Sequence, residues 1–408
     1  MIETKKVEER VLLLGVRAGA DTEGDLEELG ELVRTAGAAV LGQVVQNRES
    51  IHPGTYFGKG KIEEVREEIF DTGANGVVCD DELSPAQLKN LENLLQVKVM
   101  DRTMVILDIF AARARSAEGK IQVELAQLRF LSTRLVGMRS SLSRLGGGIG
   151  TRGPGEKKIE MDRRLIHERI SILKGELKKV ESHRRLLRKS REGVFSIAMV
   201  GYTNAGKTTF LNRCTQAGQL AEDALFATLD ATTRQFVLPG GTQVLLTDTV
   251  GFIRKLPHHL IEAFRSTLEE ARHADLLLHV VDASQPGADL RMGIVYETLR
   301  QLEVMDKDIL TLFNKADKGE KEIFLPRDPH ALGCFRISAK TGAGMEKLME
   351  KIEEILKSKR VYIERIFSYQ EAGKLALIRK QGELMEEEYA PAGIAVKAYI
   401  PLALAGRL

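Results

Sequence analysis

Short apolar runs alternate with amphipathic stretches along the first 110 residues. The runs have the length of buried strands, and the stretches between them repeat their apolar positions every three to four residues, as surface helices do. Ser84 precedes one of these stretches and Pro85 opens it, which is a usual start of a helix. The pattern predicts a small α/β domain over residues 1–115. The predicted strands are residues 11–16, 38–45, 76–80 and 98–102, and the predicted helices are residues 25–37, 61–70 and 84–95.

Two long helical stretches follow, each with an apolar residue at every seventh position. Heptad patterns joined by a turn predict an antiparallel helical hairpin, here over residues 116–193. The joint, residues 139–156, contains six glycines and no acidic residue before Glu156. We expect it to form a mobile, non-helical tip, because glycine strongly disfavours a helix. The repeated positions are Ile121, Leu128 and Leu135 in the first stretch and Ile159, Ile166, Leu173, Val180 and Leu187 in the second.

Alternating apolar runs and helical patterns resume at Phe195 and predict an α/β domain over residues 194–358. A short α+β module is predicted over residues 359–408. It is based on strands at 361–366 and 395–400 and a helix at 369–380. The predicted strands of the larger domain are residues 195–200, 236–238, 244–247, 276–282, 309–313 and 334–337.

The loop after the first of these strands has the sequence of a phosphate-binding loop. Residues 201–208 read GYTNAGKT, an instance of GxxxxGK[ST] between an apolar run and a helical pattern. Its glycines let the backbone wrap closely, so that successive N–H groups point at phosphate oxygens. Lys207 is predicted to reach the β- and γ-phosphates, and the Thr208 hydroxyl to bind magnesium. The residues predicted to form the loop are Gly201, Tyr202, Thr203, Asn204, Ala205, Gly206, Lys207 and Thr208.

Three shorter motifs, DTVG, NKAD and SAK, follow at the ends of later strands and predict that the base is guanine. In DTVG, Asp248 would hold magnesium and the Gly251 amide would meet the γ-phosphate. In NKAD, Asp317 can accept from guanine N1–H and its exocyclic amine, whereas adenine would leave this carboxylate unpaired. Lys315 would lie along the base, and the Ala339 amide of SAK would lie near guanine O6. The motifs comprise Asp248, Thr249, Val250 and Gly251; Asn314, Lys315, Ala316 and Asp317; and Ser338, Ala339 and Lys340.

The segment between the phosphate loop and DTVG is predicted to act as a switch that orders when the γ-phosphate is present. Among its threonines we favour Thr228 over Thr232 and Thr233 as a magnesium ligand, together with Thr208 and Asp248. The switch residues predicted to contact the nucleotide are Phe226, Ala227, Thr228, Leu229 and Asp230.

Phe252 follows DTVG, at the position where Ras-like GTPases carry a glutamine that orients the attacking water. A phenylalanine can neither donate nor accept a hydrogen bond, so unassisted hydrolysis is predicted to be slow. Asn204 matches the asparagine that potassium-activated GTPases use as an ion ligand, and such a cation would stabilise charge near the bridging oxygen. An asparagine that only braces the loop explains the residue equally well. The residues predicted to act in hydrolysis are Lys207, Asn204, Thr228 and Gly251.

The whole set of motifs resembles the HflX family of translational GTPases, within the Obg–HflX group. The resemblance covers roughly residues 1–360 and is carried by long strings: GTYFGKGKIEE, VMDRTMVILDIFAARARSAEGKIQVELAQL, GGGIGTRGPGE, FATLDATTR and DTVGFIRKLPHHLIEAF. Ala231 stands where the family usually has a proline, and this difference removes no ligand. The resemblance implies a Ras-like G domain that binds GTP and magnesium. It also implies binding to the large ribosomal subunit with the glycine-rich tip near the peptidyl-transferase region, and splitting of stalled or idle ribosomes under stress.

The distribution of charge agrees with an RNA partner. The chain has a net charge of only +2, yet residues 129–191 contain 18 Lys and Arg against 6 Asp and Glu. A basic stretch of this kind is expected of a protein that meets a polyanion with one face, so we predict that residues 129–191, with the tip at 146–155, contact rRNA. The arginines considered near the tip are Arg129, Arg134, Arg139, Arg144 and Arg152.

Other interpretations remain open from the sequence. A solvated charged helical face, a regulatory switch that docks a protein or peripherally a membrane, and a ribosome-assembly GTPase all fit the same hairpin. Three scattered cysteines without a CxxC pattern are typical of free thiols in a reducing cytosol. No apolar run approaches the roughly 20 residues needed to span a bilayer. We therefore expect a cytoplasmic protein. The sequence itself does not give its oligomeric state, and a monomer is our working expectation.

Overall fold

The computed structural model describes residues 8–17, 23–145, 154–189, 193–215, 224–257, 260, 265–318, 325–391 and 393–406. The chain forms two compact units. The first comprises Met1–Lys179, Glu222–Asp230 and Arg254–Arg265. The second comprises Val180–Ala221, Ala231–Ile253 and Ser266–Leu408. Two short segments on either side of the DTVG motif thus fold with the N-terminal part of the chain.

The first unit contains a parallel four-stranded sheet in the order β2-β1-β3-β4. All four strands predicted from the apolar runs are present, and Ser84 and Gln87 form a capping box at the start of α3. Leu12, Leu14 and Val77 lie in the core against the helices. The elements are β1 (Arg10–Arg17), α1 (Glu23–Thr35), β2 (Ala39–Asn47), α2 (Lys59–Thr72), β3 (Gly76–Cys79), α3 (Pro85–Leu95) and β4 (Lys98–Asp101).

One helix of this unit, α4 (Arg102–Arg113), was not predicted from the sequence. Its apolar residues run almost without interruption because nearly all of its surface is buried, so it lacks the amphipathic pattern of a surface helix. The Asp101 carboxylate caps it by accepting from the Met104 amide at 2.9 Å.

The helical hairpin consists of α5 (Ala117–Leu145) and α6 (Pro154–Lys189). Arg169 on α6 donates two hydrogen bonds, of 2.7 and 3.0 Å, to the Glu124 carboxylate on α5. The prediction that residues 139–156 are non-helical is wrong at both ends, because α5 continues to Leu145 and α6 begins at Pro154. Residues 139–145, RSSLSRL, contain no glycine, so α5 can continue through them. The helix α6 can begin at Pro154 because proline is well tolerated in the first turn of a helix. Residues 146–153, on which the predicted mobility of the tip depends, lie outside the described residues.

The second unit contains a six-stranded sheet in the order β10-β9-β8-β5-β7-β6. All neighbouring strands are parallel except β6, which runs antiparallel to β7. The carboxyl ends of the parallel strands therefore meet at one edge, where α/β proteins bind ligands. The elements are β5 (Ser196–Gly201), α7 (Lys207–Thr215), β6 (Thr232–Val237), β7 (Gln243–Asp248), α8 (Arg265–His273), β8 (Leu276–Asp282), α9 (Ala288–Gln301), β9 (Asp308–Asn314), β10 (Gly333–Arg336) and α10 (Met345–Ser358).

The chain ends in an antiparallel three-stranded sheet in the order β11-β13-β12. Strand β12 was missed because ELMEEEYA contains four glutamates and no regular apolar alternation. The α/β fold class predicted from the sequence is confirmed, and none of the described helices is long and apolar enough to cross a membrane. The elements are β11 (Arg360–Phe367), a 3-10 turn (Tyr369–Glu371), α11 (Ala372–Gln381), β12 (Glu383–Ala390), β13 (Gly393–Pro401) and α12 (Leu402–Ala405).

Candidate nucleotide site

The phosphate loop leaves β5 at Gly201 and enters α7 at Lys207. A Cβ on Gly201 would lie 2.2 Å from the Val280 carbonyl oxygen, and one on Gly206 would lie 2.3 Å from Asn314 Nδ2. Both glycines have positive φ, and Asn204 adopts the left-handed region at φ 58°. The loop therefore requires glycine at its two signature positions for space as well as for backbone conformation.

Lys207 is buried inside this loop, with 6% of its surface exposed. Its Nζ donates to the carbonyl oxygens of Gly201 (3.1 Å) and Tyr202 (2.9 Å). Burial lowers the pKa of the ammonium to about 8, and Asp248 opposes part of this shift. The geometry places a cation where a phosphate chain wrapped by the loop would pass.

Thr208 and Asp248 face each other at the end of the loop. The Thr208 hydroxyl donates to Asp248 Oδ2 at 2.7 Å, and Asp248, the last residue of β7, is fully buried. Next to it, Thr249 donates to the Met199 carbonyl oxygen at 2.5 Å, which fixes the start of the DTVG segment on β5.

This donor set fits magnesium. One hydroxyl and one carboxylate supply oxygen ligands, and Mg²⁺ commonly takes few ligands from a protein and the rest from water and phosphates. Among the described residues there is no group of three or more His, Cys, Asp or Glu side chains that could hold a metal ion.

Asn314 ties the base motifs to the phosphate loop. Its Nδ2 donates to the Ala205 carbonyl oxygen at 2.8 Å, and its Oδ1 accepts from the Ala339 amide at 2.9 Å. The first residue of NKAD therefore holds both the loop and the SAK segment, while Ala316 donates its amide to the Ile337 carbonyl oxygen at 3.1 Å.

Asp317 lies exposed at this edge, and its Oδ1 accepts from the Ser338 hydroxyl at 2.5 Å. This hydrogen bond is the main reason why the pKa of the Asp317 carboxyl lies below its usual range. The carboxylate is thus ionised at neutral pH and keeps acceptor capacity for a donor pair such as guanine N1–H and its amine. Lys340 is also exposed beside this edge.

Asp282, the last residue of β8, was not among the predicted site residues. Its Oδ2 lies 2.8 Å from Lys315 Nζ, and Lys315 is held at φ 63°. Burial would raise the pKa of Asp282, but hydrogen bonds from Lys315 and Ser284 outweigh it and hold this pKa below the usual range. The sequence did contain a sign of this role, because Asp282 is an acidic residue at the end of an apolar run next to the strand that carries NKAD.

Gly251 packs directly on the phosphate loop, since a Cβ there would lie 2.6 Å from Thr203 Cα. The following residue, Phe252, donates its amide to the Gly201 carbonyl oxygen (3.1 Å), and its carbonyl oxygen accepts from the Thr203 amide (2.7 Å). The Phe252 ring is buried. Residue 252 therefore serves the structure through its backbone and its packing, in keeping with the lack of a water-orienting side chain. Val250, which precedes this glycine, is also buried.

The predicted switch segment makes its contacts within the first unit. The Asp230 carboxylate accepts from the amides of Arg115 (3.0 Å) and Ser116 (2.8 Å) just before α5. The Phe226 ring meets Phe110 of α4 edge-on, with centroids 4.7 Å apart. These long-range partners of Phe226 and Asp230 were not anticipated. Between them, Ala227 and Thr228 are half-buried and Leu229 is buried.

A second segment, after DTVG, is also held in the first unit. Lys255 Nζ lies 2.8 Å from Asp81 Oδ1 and also pairs with Asp80, which is buried. The Tyr56 hydroxyl donates to Asp81 Oδ2 at 2.8 Å. Asp80 and Asp81 directly follow β3, so they lie at the carboxyl edge of the N-terminal sheet.

The cations of the hairpin do not all face solvent. Arg134 donates to Asp101 at 2.5 Å and lies over the Phe130 ring, 4.1 Å from its centroid. It therefore belongs to the packing of the first unit, contrary to its predicted place in an RNA-facing set. Arg129 is half-buried, and the side chains of Arg139 and Arg144, like Arg152, lie outside the described residues. Exposed cations are found on α6 instead: Arg163, Arg164, Lys174, Lys178 and Lys179.

Comparison with known proteins assigns family descriptions to three consecutive parts of the chain. Residues 23–111 match the family described as GTP-binding GTPase N-terminal, and residues 113–191 match GTP-binding GTPase Middle Region. Residues 196–315 match the family described as 50S ribosome-binding GTPase.

Individual relatives match almost the whole chain. The GTPase HflX of Lacrimispora saccharolytica is 63% identical over 405 residues, covering 98% of this chain and 96% of that protein. The GTPase HflX of Caldanaerobacter subterraneus is 45% identical over 410 residues, covering 100% and 95%. A solved GTP-binding protein from Sulfolobus solfataricus in complex with GDP is 25% identical, with a TM-score of 0.44, covering 86% of this chain and 99% of that one.

Proposed function

The chain belongs to the HflX family of GTPases, and from that premise we propose that it binds the large ribosomal subunit and, in its GTP form, separates stalled or idle ribosomes, particularly under stress. The chain is a GTPase with a phosphate loop that binds GTP and GDP. The proposal adds a ribosomal role to this GTPase activity. It assigns the ribosome contact to the hairpin at residues 116–193 and hydrolysis to residues 194–358, in a cytoplasmic monomer.

In this proposal the nucleotide is held by the residues predicted from the motifs. Lys207 binds the β- and γ-phosphates, the Gly251 amide meets the γ-phosphate, and Asp317 selects guanine. Thr208 and Asp248, joined at 2.7 Å, hold magnesium with Thr228. The bound ion would supply positive charge that neutralises the phosphate oxygens.

Asn204 is the proposed potassium ligand, and its left-handed backbone at φ 58° supports a special role for this position. Since Phe252 is buried and offers no polar group, the chain itself supplies no side chain at this position to orient water. Slow hydrolysis in the free protein and stimulation by the ribosome follow from this.

The observation that supports an RNA partner is the exposed cationic surface of α6. Arg163, Lys174 and Lys179 are exposed along one helix, within the stretch 129–191 of this chain that contains 18 Lys and Arg against 6 Asp and Glu. Contacts of lysine and arginine with phosphates release counterions, so the affinity should fall steeply as salt rises.

The test is sedimentation of purified ribosomes through gradients with GTP, GDP or a non-hydrolysable GTP analogue. We expect the analogue to yield free large subunits with bound protein and GDP to leave intact ribosomes. Replacing Arg163, Lys174 and Lys179 by Glu should abolish binding and splitting while GTP affinity stays unchanged.

Matched replacement of Lys89, Lys347 and Lys357, which are exposed elsewhere, should have little effect. Binding without splitting in the analogue would reject the splitting function and favour an assembly or regulatory GTPase. Normal binding by the α6 variant would place the RNA contact elsewhere.

A further inference from the structure

The C-terminal sheet has two faces of different character. On one face, Phe367, Val396 and Ile400 pack with Leu375 of α11 and Leu404 of α12 in a buried core. The other, here called the outer face, carries alternate positions of β11 and β13, together with the β12 residues that pair with them on either side of a bulge between Leu384 and Glu386. Its residues are Arg360, Tyr362, Glu364 and Ile366 of β11; Glu383, Glu386 and Glu388 of β12; and Ala395, Lys397 and Tyr399 of β13.

Large apolar groups are exposed on this outer face. Tyr362 and Tyr399 pair across β11 and β13, and their ring centroids lie 5.4 Å apart. They are 45% and 41% exposed, and Ile366 on the same face is 59% exposed. Tyrosine is enriched at the centres of protein interfaces because it combines a large apolar surface with a hydroxyl group. A rigid strand pair thus presents two adjacent rings to solvent.

The charge around these rings is negative. Lys397 Nζ lies 2.8 Å from Glu386 and 3.9 Å from Glu364, so one cation stands between two carboxylates. Glu383 is paired with Arg360 at 2.7 Å. Glu388, opposite Ala395, adds a further exposed carboxylate. After both cations of the face are counted, the outer face retains a negative charge.

We propose that the outer face docks a basic protein surface, whose Lys and Arg side chains pair with Glu364, Glu386 and Glu388 and whose stems pack on Tyr362 and Tyr399. Arginine suits this arrangement because it binds carboxylates in a fork and also stacks on aromatic rings. The partner belongs to the large ribosomal subunit, so this inference rests on the function proposed above.

The negative charge of the outer face favours a basic protein over nucleic acid or a second copy of the chain. Nucleic acid is disfavoured because its phosphates would meet a face with four carboxylates and only two cations, and RNA contact is already assigned to the cations of α6. A second copy of the chain is disfavoured too, because a two-fold contact would bring the same acidic face against itself. A basic protein surface is complementary in charge to the carboxylates, and its side chains can also pack on the tyrosine rings.

The test uses the full chain with purified large subunits and a non-hydrolysable GTP analogue. A photo-reactive phenylalanine replaces Tyr399, and the matched control replaces Tyr389, which is 66% exposed in the same module. Tyr389 lies on the α11 side, where its hydroxyl contacts Arg379 at 3.0 Å. We expect the probe at 399 to cross-link to a Lys- and Arg-rich segment of a ribosomal protein, and the probe at 389 to give no such product.

A charge variant provides an independent measurement. Glu364→Gln, Glu386→Gln and Glu388→Gln together should lower the cross-link yield at 399 by on the order of tenfold, at about twofold to threefold per exposed pair. The control, Glu346→Gln, Glu350→Gln and Glu354→Gln, removes the same charge from the exposed side of α10 and should leave the yield unchanged.

The outcomes separate the inference from the proposed function. If the protein co-sediments with large subunits but the probe at 399 reaches rRNA, a second copy or nothing, the inference is overturned and the ribosome proposal stands. Equal yields from the two charge variants would also overturn it. Loss of co-sedimentation in the unsubstituted protein would reject the ribosome proposal, and the docking partner inferred here with it.

Discussion

The buried ammonium of Lys207 leads to a prediction about the pH dependence of nucleotide binding. In the free protein its pKa is about 8, lowered from 10.5 mainly by burial. Nucleotide phosphates bring negative charge to the ammonium, which favours the protonated form and should return the pKa to its ordinary range. The complex therefore binds more protons than the free protein, and nucleotide affinity must fall as pH rises through the free-state pKa.

The size of the effect follows from these two pKa values. At pH 8.5 roughly three quarters of the free protein would carry a neutral Lys207, so binding should take up about 0.7 proton at this site. At pH 7 the uptake should be about 0.1 proton. Between pH 7 and pH 9 the contribution of Lys207 to GDP affinity should fall by about tenfold, or about 1.4 kcal/mol.

Isothermal titration calorimetry with GDP, in buffers of different ionisation enthalpy, measures this uptake directly. Lys207→Arg is the matched control, because arginine stays charged throughout the range. Protons exchanged by GDP itself contribute equally to both proteins and cancel in the difference. Equal uptake by wild type and the arginine variant at pH 8.5 would refute the argument and imply that Lys207 is fully protonated in the free loop.

Three further predictions concern the base, the cation and the switch segment. Asp317→Asn should weaken GTP binding and favour xanthosine triphosphate, because the amide donates where the carboxylate accepted; competition binding with both nucleotides tests this, and unchanged GTP affinity would remove Asp317 from the base site. Hydrolysis should be faster in potassium than in sodium at equal ionic strength, and Asn204→Ala should abolish the difference; equal rates in the unsubstituted protein would return Asn204 to a structural role. Asp230→Ala should lower the free energy of unfolding by about 1–2 kcal/mol, because two amides before α5 lose their acceptor. Denaturant titration against Asp306→Ala, an exposed aspartate, measures it, and equal losses in both variants would reject the capping role.

Apolar patterns sufficed for most of the fold because most helices have one apolar face and the central strands are short apolar runs. Strands β1, β3, β5 and β8 are nearly continuous apolar runs, as expected of strands covered on both faces. The hydrophobic pattern failed to predict elements that are almost completely buried or almost completely exposed. Helix α4 is buried nearly all round, and β12 exposes most of its residues, so neither shows the alternation that marks its class.

The candidate site was predictable to the extent that it is local. The phosphate loop, DTVG, NKAD and SAK each stand at the end of an apolar run, and parallel strands bring those ends together. The pair between Asp282 and Lys315 was not predictable in this way, because it joins the ends of two different strands through side chains. Arg134 shows the same limit: its charge suggested RNA, but its partner Asp101 lies 33 residues away.

The contacts of the switch segment, residues 226–230, affect whether its threonine can reach a magnesium ion. Thr228 lies two residues after Phe226 and two before Asp230, and both neighbours are held within the first unit by the Phe110 ring and the amides before α5. If Thr228 moves to bind magnesium in the GTP form, the segment must either carry these contacts along or break them. Hydrogen bonds of this kind contribute about 1 kcal/mol each and an aromatic pair about as much. Breaking them would cost a few kcal/mol, which is enough to weaken GTP binding more than tenfold relative to a segment without such contacts.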